Sequence, residues 1–187
     1  MTPYKDEQYF SWSNAFSPES IKEINQFIEA DVETASVIND YPDYKKISTV
    51  KHIRFKKIKH LIKPFVAGAL AVAERDFGYN VYYPHDDWTI NYNIYNSESK
   101  DSYDWHDDKS GRPTFDIKLT LLINLSEESY DGGEFELAMG REATPISQFS
   151  NSGSAIMFKS HILHRVKPVT SGVRKSLSLF ILGPKFR

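Results

Sequence analysis

From Trp88 onward the chain is a succession of short runs that fit strands and little else. Trp88, Ile90, Tyr92 and Ile94 alternate with Thr89, Asn91, Asn93 and Tyr95, the period of two that gives a strand one apolar and one polar face. Further strands are expected over Phe115–Asn124, Glu134–Leu137, Ser154–Lys159, His164–Val169 and Val173–Leu182. Asp131-Gly132-Gly133, Asn151-Ser152-Gly153 and Thr170-Ser171-Gly172 punctuate them as turns, because glycine and short polar residues accept the backbone angles that reversals need. Many short strands with such turns fold as a sandwich or barrel.

The first half reads differently. Residues 1–16 form an opening strand or loop. Ser17-Pro18 then supplies an N-cap and a proline at the first helical position, followed by Ile21, Ile24, Phe27 and Ile28 at helical spacing. Asn39-Asp40 and Pro42-Asp43 mark turns, and residues 47–55 suggest a strand. A second helix is expected from about 58 or 64 to 77, with Pro64 opening or kinking it and Gly78 closing it. The expected architecture is therefore α+β, a helical layer over about 1–85 buttressing an eight-stranded jelly roll over about 88–182. The 187 residues are read as a single domain.

Composition narrows the chemistry. The chain has no cysteine, so disulfides and thiolate metal sites are excluded and any metal must be held by nitrogen and oxygen. A formal charge of -2 gives no global reason to expect nucleic acid or an anionic membrane as partner. No basic leader runs into an apolar stretch, and no run approaches the ~18 apolar residues of a membrane span, so a cytoplasmic protein with no membrane partner is expected. Eight Lys/Arg and no acid fall between Lys45 and Lys63. A solvated strand and helix face explains them better than a nucleic-acid surface, since no aromatic stacking pattern accompanies them.

Histidines carry the next step. His106 and Asp108 stand two apart at the exit of the first alternating strand, so in an extended segment their side chains share a face. His85-Asp86-Asp87 spells the same pattern but follows Tyr83-Pro84 and reads as a turn. His161 and His164 are three apart and face opposite sides of a strand; His164 opens the alternation His164, Val166, Pro168 and lies ten residues before Arg174. Two histidines and one carboxylate are the facial set that leaves positions on Fe(II) open for a cosubstrate and dioxygen. Arg174 is suited to gripping a carboxylate in two parallel bonds.

The ordered series Tyr103-Asp-Trp-His106-Asp-Asp108, Thr120-Leu-Leu-Ile-Asn-Leu125, Asp131-Gly-Gly-Glu-Phe135, Gly153-Ser-Ala-Ile-Met-Phe158 and His164-Arg-Val-Lys-Pro-Val-Thr-Ser-Gly-Val-Arg174-Lys-Ser176 resembles the prolyl-4-hydroxylase-like branch of the 2-oxoglutarate and Fe(II)-dependent oxygenases over about residues 88–182. The resemblance implies a double-stranded β-helix, Fe(II) on His106, Asp108 and His164, and 2-oxoglutarate paired with Arg174. It implies a hydrogen bond from Tyr95 to the same carboxylate, help from Ser176, and Tyr103 in the substrate pocket. Phe158-Lys159-Ser160 departs from the family's usual Phe-Pro-Ser, and the loop from Tyr95 to Tyr103 is slightly long; both bear on the entrance rather than the metal. An intact Asp108 implies hydroxylation rather than halogenation, with dioxygen as oxidant and ascorbate as reductant. A protein or peptide side chain, prolyl foremost, is the expected substrate. A nucleic-acid base or free amino acid is the alternative, and a non-catalytic β-helix binding module the remaining one.

Overall fold

The computed structural model describes residues 2–30, 35–41, 44–109 and 113–186. Its elements run β1 (Thr2–Lys5), β2 (Tyr9–Ser13), α1 (Pro18–Ala30), β3 (Ala35–Tyr41), β4 (Tyr44–Arg54), α2 (Phe55–Phe77), β5 (Thr89–Asn96), β6 (Ser102–His106), β7 (Asp116–Asn124), β8 (Asp131–Gly132), β9 (Phe135–Met139), β10 (Glu142–Pro145), β11 (Ala155–Lys159), β12 (His164–Val166), β13 (Val169–Ser171) and β14 (Val173–Gly183). Among its described residues, segment 1–85 thus holds both expected helices but also four strands. It adds to the sheet as well as buttressing it, and Asn39-Asp40 lie within β3 rather than in a turn. Pro42 and Asp43 lie outside the described residues.

One curled sheet contains nearly every strand, in the order β1-β2-β11-β7-β14-β5-β4-β6-β12-β9-β10, with β3 on β4 and a separate β13-β8 pair. The long β4 joins its two halves. The stretch from Thr49 to Arg54 pairs with β5, while Lys46 and Ile47 pair with Ser102 and Tyr103 on β6. The sheet therefore folds over itself into the expected jelly roll. Among the described residues no helix is long and apolar enough to cross a membrane.

The helices cover the outer face of the broad half. α1 presents Ile21, Ile24 and Ile28, and the Ser17 hydroxyl accepts the Ser20 N–H as the N-cap. Phe27, at the same nominal spacing, stays 36% exposed. Asn25 locks the helix to the sheet: its amide donates to the Leu125 carbonyl at 2.9 Å and its oxygen accepts the Tyr92 hydroxyl at 2.9 Å. α2 begins at Phe55, earlier than the sequence suggested, and runs through Pro64. Pro64 and His60, whose carbonyl loses its helical donor, lie on the exposed face, where water can satisfy that group. Gly78 ends the helix at φ 67°.

β5 shows the expected sidedness. Ile90 and Tyr92 join the helix-side core, but the opposite face, with Asn91, Asn93 and Tyr95, looks into the fold rather than into water. A second apolar cluster around Tyr95, Phe135, Leu137, Phe149 and Phe158 fills the space between the sheet halves. The helix-side core should dominate stability. Ile58→Ala, at a fully buried α2 position, is expected to cost about 3 kcal/mol in urea unfolding, the usual loss for an isoleucine cavity.

Candidate active site

Inside the curl, between the two halves, is a cavity of about 90 Å³, several times what one water requires. β6 and β12 build one wall. Their register sets His164 opposite His106, so two histidines 58 positions apart in the chain become neighbours, with ring centroids 4.1 Å apart. Asp108 follows two residues after the end of β6, where its N–H donates to the Ser160 carbonyl at 2.9 Å. His106 Nε2 lies 3.9 Å from Asp108 Oδ1, and His164 Nε2 lies 3.3 Å from Asp108 Oδ2.

Hydrogen bonds fix which ring atoms face inward. His106 Nδ1 is 2.7 Å from the Asp104 carbonyl and His164 Nδ1 is 2.9 Å from the Ile162 carbonyl. A carbonyl only accepts, so each Nδ1 donates and each Nε2 is the ring atom left facing the centre. Burial, with His164 beside it, holds the His106 imidazole neutral by pushing it down to about 4. Burial pushes the Asp108 carboxyl up, but the two rings and the Thr120 hydroxyl outweigh that and keep it below the ordinary carboxylate range. Two imidazoles and one carboxylate, with ligand atoms within 4.8 Å of one another, make a nitrogen-and-oxygen donor set suited to Fe(II). Ligand atoms ~2.1 Å from a shared ion stand at most ~4.2 Å apart; the two separations to Asp108, one to each carboxylate oxygen, are of that size.

β14 supplies the opposite wall. Arg174 is 1% exposed and pairs in register with Tyr95 on β5, its guanidinium 5.4 Å from that ring. One guanidinium N–H donates to Ser176 Oγ at a long 3.4 Å, and Nε has no partner among the described residues. A buried guanidinium left with an idle donor fits an anion that the protein itself does not provide. Gly133 makes room for it: at φ 62° a Cβ there would stand 3.0 Å from Arg174 Cδ. Tyr95 is buried against it, and burial pushes its hydroxyl up to about 12, so it remains a proton donor. These features fit 2-oxoglutarate as the donor set fits Fe(II).

Tyr103 stacks on His106 with centroids 3.5 Å apart. Thus all seven sequence-derived residues, His106, Asp108, His164, Arg174, Tyr95, Ser176 and Tyr103, line the same cavity. The alternative histidines do not. His85 sits in an exposed turn against Trp88, and His161 is exposed on the far side of its segment. Asp86 and Asp87 instead form ion pairs with Lys59 at 2.7 Å and Lys56 at 2.9 Å, so part of the basic stretch is neutralised locally.

Two contributors escaped the sequence. Thr120 donates to Asp108 Oδ2 at 2.6 Å; a lone hydroxyl in the run Leu119-Thr120-Leu121-Leu122-Ile123 is the signal that was available. Lys46 belongs to the run expected on a solvated basic face, yet it is 7% exposed and lines the cavity. Its place in the alternation Lys46, Ser48, Val50 on one side of β4 was the hint.

Residues 90–182 match the model of the 2OG-Fe(II) oxygenase superfamily. The chain belongs to that superfamily. With it come Fe(II), 2-oxoglutarate and dioxygen as cofactors, in agreement with the donor set and the buried guanidinium. A PKHD-type hydroxylase of Teredinibacter turnerae is 40% identical over 68 residues, covering 35% of this chain and 28% of that protein. The chain matches about a quarter to a third of the curated relatives' length. Among solved structures, a Pseudomonas putida prolyl-4-hydroxylase superposes with a TM-score of 0.71 at 14% identity, covering 93% of this oxygenase and 91% of that chain. A prolyl hydroxylase of Trichoplax adhaerens, in complex with a hypoxia inducible factor peptide fragment, gives 0.70 at 16% identity, covering 94% and 83%. At such identities these neighbours show the double-stranded β-helix fold alone.

Thr120→Val keeps shape but removes the bond to Asp108. It is expected to weaken metal binding by about 10- to 100-fold, read as the apparent Kd in an anaerobic Fe(II) titration.

Proposed function

We propose that this member of the superfamily is a 2-oxoglutarate- and Fe(II)-dependent hydroxylase acting on a protein or peptide side chain. The convergence of His106, Asp108, His164 and the anion-seeking Arg174 on one cavity carries the reading. When bound, iron and 2-oxoglutarate supply the oxidising chemistry: 2-oxoglutarate becomes succinate and CO2, and one oxygen atom of O2 is delivered to a substrate C–H bond.

The chain's own residues do the holding and shielding. His106 and His164 offer their Nε2 atoms, Asp108 offers the anionic oxygen, and Thr120 keeps that carboxylate oriented. Arg174 takes the far carboxylate of 2-oxoglutarate, with Tyr95 and Ser176 on the same face of neighbouring strands to support it. Leu122, Phe135, Val166 and Phe180 line the rest of the cavity and limit water near the reacting atoms. Tyr103, stacked on His106, faces the incoming substrate. A peptide substrate is supported by the solved prolyl hydroxylases of the same fold, one of them holding a peptide. The nucleic-acid alternative loses its main motive, because the basic stretch spends Lys56 and Lys59 on Asp87 and Asp86 and sends Lys46 inward.

Anaerobic addition of Fe(II) and 2-oxoglutarate should give a weak visible charge-transfer band, and its absence from the wild type would sink the reading. His106→Ala, Asp108→Ala and His164→Ala should each lose both that band and succinate formation, whereas His85→Ala and His161→Ala keep them. Arg174→Ala should weaken 2-oxoglutarate binding by about 2–5 kcal/mol, the cost of removing one partner of a buried charge pair, measured by titrating the band.

A further inference from the structure

We propose that Lys46 holds a carboxylate carried by the substrate, so that the compound oxidised is anionic close to the carbon that reacts. This rests on the oxygenase reading above.

Lys46 lies on the inner face of β4 and lines the cavity beside the metal ligands. Its ammonium donates to Asn93 Oδ1 at 3.0 Å and stands 4.6 Å from the centre of the Tyr103 ring. Asn93 in turn donates to Ser178 Oγ at 2.9 Å, so both amide groups of Asn93 are engaged and the lysine is held in place. An ammonium has three protons, and no carboxylate among the described residues lies within ion-pair distance of this one. A cation taken out of water without a counter-ion is costly. Burial pushes the Lys46 ammonium down to about 8, and Asp108 offsets that only in part.

Arg174 and Lys46 stand on β14 and β4, with β5 between them, so their backbones are roughly 10 Å apart. On this proposal the carboxylate gripped by Arg174 is not the one that Lys46 meets. The cavity's charges lead to the same result. Fe(II) and 2-oxoglutarate cancel, Asp108 offsets one of the two buried cations, and one positive charge remains. That charge is positioned by Lys46, against the ring expected to meet the substrate. A carboxylate there would gain a charge-assisted bond in a water-poor site and would orient the molecule over the metal. The carboxylate can come from an acidic residue of a peptide or from a free amino acid.

The test uses the full chain loaded anaerobically with Fe(II) and 2-oxoglutarate. The probes are free L-amino acids and Asp- or Glu-containing peptides, each matched with its primary amide. If the loaded protein shows no charge-transfer band, the oxygenase reading falls first and this proposal with it. With the band present, at least one acid should shift it saturably, and its amide should bind about tenfold more weakly or worse. Whether the free acid or the peptide does so identifies the source. Lys46→Met should erase the preference for acid over amide while 2-oxoglutarate still titrates as in the wild type, and Lys46→Arg should keep that preference. The proposal is overturned if acid and amide bind alike, if no acid moves the band, or if Lys46→Met weakens 2-oxoglutarate instead.

Discussion

The pairing of β6 with β12 is the constraint on which the site depends. Each strand is short, and neither contains a complete metal site. Backbone bonding in one register places His106 opposite His164, and Asp108 is carried to them by the chain leaving β6. A slip of one residue would turn one imidazole to the other face of the sheet. The Asp104 and Ile162 carbonyls then settle which nitrogen faces inward. The ligand geometry is thus mostly a property of the backbone, with Thr120 the main side chain acting on the carboxylate.

The broad half of the sheet supplies the other requirement, a strand group with two unlike faces. Ile90 and Tyr92 on β5 and Leu177 and Leu179 on β14 bury themselves under the helices, so Asn91, Asn93, Tyr95, Arg174, Ser176 and Ser178 are driven to the inner face. Polar groups there would be a liability in an ordinary core. Here they surround a cavity, and the residue left least satisfied, Arg174, is the one whose chemistry calls for an anion. The same alternation along β4 turns Lys46 inward while Lys45 remains exposed.

Much of this was legible in the chain. The alternation at 88–95, the N-cap at Ser17 and the glycine after Phe77 reappear in the structure with boundaries shifted by a few residues. His106, Asp108 and His164 meet in one cavity while His85 and His161 stay outside it, as expected of a histidine that follows a proline turn and of one out of phase with His164. What was not legible came from contacts distant in sequence. β6 is absent from the strands that alternation predicts, because its pairing with β4 and β12 has no local signature. The early start of α2 depends on Phe55 filling a core built from other segments, and the tolerance of Pro64 on which helix face meets water.

By itself, the sequence determined residue types and phases: which side chains share a face, that nitrogen and oxygen must hold any metal, and that an ordered series of motifs matches the oxygenase family. Such information is local, because it follows from the two-residue repeat of a strand and the chemistry of each side chain. Only the tertiary structure decided that the polar face of β5 looks into a cavity and not into solvent. It also decided that Asp86 and Asp87 belong to surface ion pairs, and that one lysine of a basic run is buried beside the metal ligands. Burial and charge pairing depend on what lies across the fold, and a strand's sequence shows its two faces without showing what each of them meets.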